Sequence, residues 1–244
     1  MIQKRASFFE NLGKVEIAML NEQINPILAA RRRKHQRCWR KLVPHDDMSA
    51  IVSGNVMVPF EHYIVNMAKG YLAGKPPIYT FSKDKEDYEL AVADIKVHND
   101  DAATFATLIE DFIITSASYS YVLENERNQI EYKRIDPLNT VVVYNYDIEP
   151  KPIAVVRILK IEDEMRIEVT TSDSRKMFSF QGERIAFNDF AEDGTEKEVM
   201  EKKLFWSDVP IAAFEHPQMV SVFDAGVDLL LRSALNMCNR VSDL

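Results

Sequence analysis

Two short acidic clusters contain the residue types that could support metal or acid–base chemistry. The segment His45 to Asp47 lies in an irregular polar stretch, and Asn99 precedes Asp100 and Asp101 at the start of a predicted helix. A metal site needs several ligands, and the first cluster has no second ligand set at helical spacing. An aspartate before a helix normally accepts a hydrogen bond from the first backbone N–H groups. We therefore predict a helix cap at Asp100 or Asp101 and no metal site at either cluster.

The sequence also lacks the motifs of nucleophilic catalysis and nucleotide binding. Ser116, Ser118 and Ser120 alternate with Ala and Tyr in a predicted strand, and none lies in the Gly-x-Ser-x-Gly elbow that exposes a nucleophile. We expect these serines on the outward face of that strand. The seven glycines form no phosphate-binding loop. An enzyme is therefore the least favoured hypothesis, and no cofactor is expected.

The histidines and cysteines point to no shared site. The residues His35, His62, His98 and His216 are not paired at helical spacing, and Cys38 and Cys238 stand 200 positions apart. Neither cysteine belongs to a Cys-x-x-Cys pair, so a reducing compartment is favoured over a disulfide framework. Without a long apolar run or a signal-peptide pattern, the sequence predicts a cytoplasmic protein with no membrane span.

Charge is distributed unevenly along the chain. The net charge is −8, yet residues 1–41 contain ten Lys and Arg against three acids, which gives +7 and leaves −15 for the remainder. The cations concentrate in one run: Arg31, Arg32, Arg33, Lys34, Arg37, Arg40 and Lys41. This run is either a solvated helix face or a contact with DNA or another acidic partner. A nucleic-acid-binding module using these residues is the alternative functional hypothesis.

Helical periodicity occupies the first part of the chain. One helix is predicted from Glu10 to Leu42, with Pro26 kinking or restarting it. Its apolar stripe comprises Leu12, Val15, Ile17, Leu20, Ile24, Ile27 and Leu28. A second helix has a stripe of Val58, Ile64, Met67, Ala68, Tyr71 and Leu72. It begins near Pro59 and ends at Gly74, predicted to be a left-handed cap, with Pro76 just beyond.

The middle of the chain combines one helix with a succession of strands. A helix is predicted from Asp101 to Thr115, with Phe105, Leu108, Ile109, Phe112 and Ile113 buried. Residues 117–137 have the pattern of a hairpin, and strands follow at 141–145, 153–161, 165–171, 176–181 and 184–190, with extended segments at 202–206 and 210–216. Short strands joined by tight polar turns favour antiparallel pairing. The predicted class is α+β, and residues 101–190 are expected to form its core as one helix packed on an antiparallel sheet.

The last segment, Val222 to Val241, returns to helical periodicity. Its stripe is Val227, Leu230, Leu231, Ala234, Leu235 and Cys238, and no capping glycine follows. We expect a helix that stops before its natural end, in a fragment or truncated chain, and whose stripe folds back, frays or meets another copy. The predicted organisation is a basic helical segment (1–55), an α+β domain (56–217) and the start of a further helix (218–244).

Three stretches resemble, in the same order, the portal proteins of long-tailed bacteriophages, particularly those from phages of Gram-positive bacteria. They are IVNMAKGYLAGKPPIYTF (64–81), the helix and strands up to YKRIDPLNTVVVYNYDIEPKPIAVVRI (132–158), and DVPIAAFEH with the helix that follows (208–243). The motif positions that carry the resemblance are Tyr71, Leu72, Gly74, Pro76, Asp136, Pro137, Pro210, Ser242 and Asp243.

The resemblance implies a role in virion assembly. Members of the family form a ring, usually of about twelve subunits, at one capsid vertex. Double-stranded DNA passes through this ring during packaging and ejection. The resemblance also implies a wing-like α+β domain whose terminal helix leads into a stem. The implied partners are other copies of the chain, the terminase, the major capsid or scaffold protein and a head-completion adaptor. The implied location is the virion, with the host cytoplasm during assembly.

Overall fold

The computed structural model describes residues 1–10, 12–38, 60–75, 78–81, 86–125, 129–190 and 196–216. The chain divides into two compact units, one formed by residues 1–30 with 119–213 and the other by residues 31–118 with 214–244. Among the described residues the helices are α1 (Ser7–Glu10), α2 (Lys14–Cys38), α3 (Phe60–Ala73), α4 (Glu86–His98) and α5 (Asp101–Thr115). The strands are β1 (Ile2–Gln3), β2 (Ala117–Glu124), β3 (Ile130–Ile135), β4 (Thr140–Tyr144), β5 (Pro152–Ile161), β6 (Glu164–Thr170), β7 (Ser174–Ser179), β8 (Arg184–Ile185), β9 (Phe187–Phe190), β10 (Glu196–Val199), β11 (Glu201–Lys203) and β12 (Ile211–Glu215).

A seven-stranded sheet dominates the first unit, with the order β1-β4-β5-β6-β7-β11 and β8 beside β7. Its pairs are antiparallel, as predicted, except that the short β1 runs parallel to β4. Strands β2 and β3 form the predicted hairpin, with β12 on the other side of β2. The predicted strand 184–190 is divided into β8 and β9, and β9 pairs with β10 instead. The α+β class predicted from the sequence is confirmed.

The turn between β5 and β6 shows how local sequence fixes the register of the sheet. Glu162 and Asp163 both have positive φ, at 51° and 71°, with Ile161 paired to Glu164. Two consecutive left-handed residues match the right-handed twist of the flanking strands, and Asp tolerates this conformation better than most residues. The tight turn therefore sets the long β5–β6 pairing.

Helix α2 covers one face of the seven-stranded sheet. Its buried side chains Ile17, Leu20, Ile24 and Leu28 recur every three or four residues and join the apolar side chains of the strands. The strand members of this core are Val141, Val143, Ala154, Val156, Ile158, Ile167, Val169 and Phe178. Val15 was wrongly assigned to the stripe, because it is exposed. The first 30 residues thus contribute the helix that completes the core of the sheet.

Two local features account for the limits and continuity of α2. Gly13 precedes the helix, and its backbone N–H donates to Glu16 Oε2 at 3.0 Å, which is the reciprocal half of a capping box. Pro26 does not restart the helix, which continues from Lys14 to Cys38. Ile24 and Leu28, on either side of the proline, are both buried. Their packing offsets the hydrogen bond that the proline removes.

In the second unit α5 has the predicted bounds and the predicted N-terminal cap. The Asp100 carboxylate accepts from Ala103 N at 3.1 Å, and Ser116 closes the helix in the left-handed conformation with φ 62°. The predicted burial of its apolar face is only partly correct. Ile113 is buried, but Phe112 is 39% exposed. Phe105, Leu108 and Ile109 are half-buried, so the buried stripe of α5 is shifted towards Ile113 and Ile114.

Helix α3 packs against α5 through Val65, which joins Ile113 and Ile114 in a small apolar cluster with Ile64, Ala68 and Ile109 around it. Lys69 Nζ lies 2.5 Å from Glu110 Oε2 and links the same two helices. The predicted stripe of α3 is wrong in part, because Met67, Tyr71 and Leu72 are exposed. Val65, which the pattern left out, lies at the centre of the contact.

Two further expectations need correction, and one helix was missed. Gly74 does not adopt a left-handed conformation, and a Cβ there would collide with the carbonyl oxygen of Gly70, so close approach accounts for the glycine. Ser116, Ser118 and Ser120 are buried instead of facing outward. Helix α4 was not predicted, because its charged residues are spread around the helix.

Several predictions fall outside the described residues. They concern the cluster at 45–47, Val58, Pro59, Pro76 and the terminal helix 222–241. No helix in the described part of the chain is long and apolar enough to cross a membrane.

Candidate functional site

A buried carboxylate lies between two arginines inside the first unit. Glu168, on β6, is 1% exposed. Its Oε1 accepts from Arg157 Nη1 at 3.0 Å, and its Oε2 accepts from Arg175 Nε at 2.7 Å and from the Nη2 of the same arginine. We call Glu168, Arg157 and Arg175 the ion cluster. All three lie on the sheet face opposite α2.

Strand register explains why these three side chains meet. Arg157 on β5 is directly opposite Glu168, and Arg175 on β7 is opposite Thr170, two residues further along β6. Directly opposed and diagonal neighbours on one face are within reach of long side chains. Sequence reasoning did not single out the ion cluster. On β5 and β6 the available signal was a charged residue flanked by Ile and Val, whereas Arg175 on β7 is flanked by Ser and Lys and gave no such signal.

Two aromatic side chains surround the ion cluster. The Arg175 guanidinium stands 5.5 Å from the ring centre of Phe187, at a distance typical of a cation–π contact. Burial raises the pKa of the Tyr121 hydroxyl above its ordinary value, and the Glu168 carboxylate adds to this, while Thr170 and both arginines act in the opposite direction. Tyr121 is therefore a neutral hydroxyl at the edge of the ion cluster.

The ion cluster is suited to a structural role. Both Glu168 oxygens already accept from guanidinium groups, and arginine retains its proton at any ordinary pH. The carboxylate therefore cannot serve as a general base without breaking these hydrogen bonds. Such a cluster fixes the mutual register of β5, β6 and β7, because any slip would leave a buried charge unpaired.

The motif residues Asp136 and Pro137 form the turn between β3 and β4. Asp136 Oδ1 accepts from Leu138 N at 2.9 Å, and its Oδ2 accepts from Asn139 Nδ2 at 3.1 Å. These bonds close the turn in the way that aspartate commonly does, and proline ends the pairing because it has no N–H. The residues thus end one strand and redirect the chain into the next.

Pro210, a second motif position, lies immediately before β12. Its carbonyl oxygen accepts from Val122 N of β2 at 2.9 Å. Pro210 is buried, so this contact seats the start of β12 beside the hairpin. Tyr71 and Leu72 are exposed near the end of α3, with Gly74 just after it. Pro76, Ser242 and Asp243 lie outside the described residues, and the shared role of the motif positions stays a prediction.

The basic run is divided by the fold. Arg31 is 2% exposed, and its Nη2 lies 3.0 Å from Glu215 Oε1, so it belongs to the interior of the second unit. Arg32 and Arg33 are exposed and Lys34 is half-buried, all on α2. Arg37 also lies within α2, whereas Arg40 and Lys41 lie outside the described residues. Arg31 is therefore not part of the predicted contact surface.

An open groove of about 570 Å³ lies in the first unit, beside α1 and the strands β5, β7 and β11. Its lining includes the carboxylates Glu10, Asp173, Glu201 and Asp208 and the ammonium of Lys176. Lys176 lies 3.5 Å from Glu201. Burial would raise the pKa of Glu201, but a hydrogen bond from Ser174 and the charges of Lys176 and Arg184 outweigh it and hold the pKa below its ordinary value. The remaining three carboxylates are exposed at the groove.

No group of three or more His, Cys, Asp or Glu residues within the described ranges is arranged to hold a metal ion. His62 contacts Asn66 within α3, and His98 contacts the Asp94 carbonyl within α4. Both are local contacts inside one helix.

Comparison with known families identifies the class. The family model described as "Phage portal protein, SPP1 Gp6-like" matches residues 39–238. The chain therefore belongs to this family of phage portal proteins, whose members are structural. The family anticipated from the three sequence stretches is confirmed.

No curated protein matches the chain. Among solved structures, a chain of "Neck of empty GTA particle computed with C6 symmetry" is similar at 13% identity, with a TM-score of 0.34, over 82% of this chain. This chain spans 45% of the length of that one.

Proposed function

We propose that this chain is a subunit of the portal ring at a capsid vertex, through which double-stranded DNA is packaged and ejected and to which head-completion proteins attach. The observation that carries the proposal is the family match over residues 39–238. The proposed partners are other copies of the chain, the terminase, the major capsid or scaffold protein and the adaptor. The proposed location is the virion, with the host cytoplasm during assembly.

The physical character of the described residues supports a passive assembly role. Both carboxylate oxygens of the ion cluster already accept from guanidinium groups, and the charge outside residues 1–41 is −15. An acidic body binds phosphates weakly, which suits a protein past which DNA must slide. We propose no catalytic turnover. The division into a basic segment (1–55), a wing domain (56–217) and a stem-leading helix (218–244) stays a prediction.

The mass of the assembled particle tests this function. We expect purified chain, examined by mass photometry over a range of concentrations, to form a closed ring of about twelve copies, with rotational symmetry visible by electron microscopy. A protein that stays monomeric at every concentration would count against the proposal.

A second candidate function, nucleic-acid binding, is favoured by the exposure of Arg32 and Arg33 on α2. A phosphate-binding surface made by these residues would lose affinity steeply as salt rises. Fluorescence anisotropy with a labelled duplex at several salt concentrations measures this directly. The candidate is abandoned if binding is undetectable at low salt.

A further inference from the structure

The exposed cations near the end of α2 face away from its buried side. Ile17, Leu20, Ile24 and Leu28 form the buried stripe, and Arg31 continues it. Each residue of a helix advances by about 100° around the axis, so Arg33 lies about 200° from Arg31. Arg32 lies about 100° from Arg31, whereas Lys34, at about 300°, returns towards the buried stripe and is half-buried. We call the two exposed arginines, Arg32 and Arg33, the cationic face.

This cationic face is held in place by the interior of the second unit. The Arg31–Glu215 pair anchors the same helical turn, with side chains only 3% and 12% exposed. An arginine fixed by a buried partner gives its turn a defined orientation. A partner that binds the cationic face therefore meets preorganised backbone, which lowers the entropic cost of association.

The groove in the first unit has the opposite charge. Glu10, Asp173 and Asp208 are exposed around it, and Lys176, the cation in its described lining, is already engaged by Glu201. Pro152 and Ile153 supply half-buried apolar surface beside the carboxylates. Arginine combines a cation with a flat apolar surface, so it fits such a lining better than a small ion does.

Charge complementarity makes the acidic groove of a second copy a fitting occupant of the cationic face. Residues 1–41 carry +7 and the remainder carries −15. The cationic face and the acidic groove surface carry opposite charges, so the groove surface of a second copy is attracted to the cationic face. Two different surfaces meeting in this way form a heterologous contact, which closes into a ring when the rotation permits.

We propose that the cationic face of one copy contacts the acidic groove surface of a second copy. The proposal rests on the ring of the proposed function and assigns two of its contacting surfaces. Exposed charge pairs depend on ionic strength, so the contact weakens as salt rises.

Charge reversal at Arg33 tests the contact. We expect Arg33→Glu to raise the protein concentration needed for half-assembly by about tenfold, because attraction becomes repulsion in every contact. Lys160→Glu is the matched control, since it makes the same charge change at an exposed lysine of β5. Urea unfolding of each variant verifies that the fold is intact, and Arg32→Glu replaces Arg33→Glu if it is not.

Charge exchange provides the decisive comparison. The double variant Arg33→Glu with Asp208→Arg should recover most of the wild-type assembly, while Arg33→Glu with Glu164→Arg should not. The inference is overturned if Arg33→Glu assembles like Lys160→Glu, if the exchange gives no recovery, or if Arg33→Glu abolishes duplex binding without changing assembly. In each of these outcomes the wild-type chain still forms a ring, so the proposed function is retained. A wild-type chain that forms no ring overturns both.

Discussion

The two faces of the seven-stranded sheet achieve burial by opposite means. The face under α2 is covered by aliphatic side chains from the helix and the strands. The other face places Glu168 between Arg157 and Arg175, surrounded by Val142, Val155 and Met177, which are also buried. Because strand side chains alternate, the same few strands supply both faces.

The two faces differ in what they contribute: one mainly stabilises the fold, and the other mainly specifies the register of the strands. Apolar contacts stabilise in proportion to buried area and tolerate small shifts in position. An ion cluster around a buried carboxylate contributes little net stability, yet losing one partner is costly because it leaves either the buried carboxylate or two neighbouring arginines without their counter-charge. The apolar face therefore supplies the driving force for folding, and the ion cluster selects one register.

The largest effect is expected from Glu168→Ala. Removing the carboxylate leaves two arginines facing each other, and the free energy of unfolding should fall by about 3 to 4 kcal/mol. Urea denaturation measures this, with Glu164→Ala, an exposed position of the same strand, as the control. Replacing all three members of the ion cluster with Met should recover most of the loss. Equal losses in Glu168→Ala and Glu164→Ala would contradict the assignment.

A somewhat smaller loss is expected on the apolar face from Leu20→Ala. Leu20 is fully buried, and its truncation should lower the free energy of unfolding by about 2 to 3 kcal/mol through lost burial and a residual cavity. Val15→Ala, at an exposed position of the same helix, should change it little. If both variants unfold at the same urea concentration, α2 does not cover the core as described.

The two faces should also differ in their response to alkali. The folded-state pKa of Tyr121 is raised by burial, so its stabilising contribution is complete below about pH 10, the ordinary tyrosine value. That contribution is lost as the pH rises through the folded-state pKa. Wild type should therefore lose stability above about pH 10 more steeply than Tyr121→Phe, measured by thermal unfolding. Parallel pH profiles would mean that Tyr121 is not buried beside the ion cluster.

The smallest effect is expected at the rim of the apolar face. Lys14 Nζ lies 2.9 Å from Glu183 Oε1, and both side chains are mostly exposed. The lysine hydrogen bond and charge lower the pKa of Glu183, but solvent and salt screen such pairs strongly. Glu183→Gln should leave the urea midpoint unchanged at physiological ionic strength. A clear shift of the urea midpoint would show that this exposed ion pair contributes to the stability of the fold.

Predictions from the sequence succeeded where the signal is local. Helix α5 was predicted with its observed bounds because Asp100 caps it and a continuous apolar stripe follows. The β2–β3 hairpin was predicted from alternation around a polar turn. Helix α4 was missed because it lacks a clear stripe. The serines of β2 were placed outward because they are polar, although the fold buries them.

The candidate site was less accessible to sequence reasoning. The ion cluster is created by register between strands, since Arg157 and Glu168 are eleven residues apart and only the β5–β6 pairing places them opposite each other. Arg31 was grouped with the exposed cations because its neighbours are basic, and only the packing of α2 shows that it is buried against Glu215.

By itself the sequence determined the α+β class, the family and the position of most helices and strands. These properties depend on periodicity, caps and turns within a few residues of each other. Tertiary structure alone decided which helix covers the sheet, which apolar side chains of α3 and α5 are buried, and which charges meet inside the molecule. Those outcomes depend on contacts between residues that are distant in the chain, and a local pattern records only that a face is apolar or charged, not what lies opposite it.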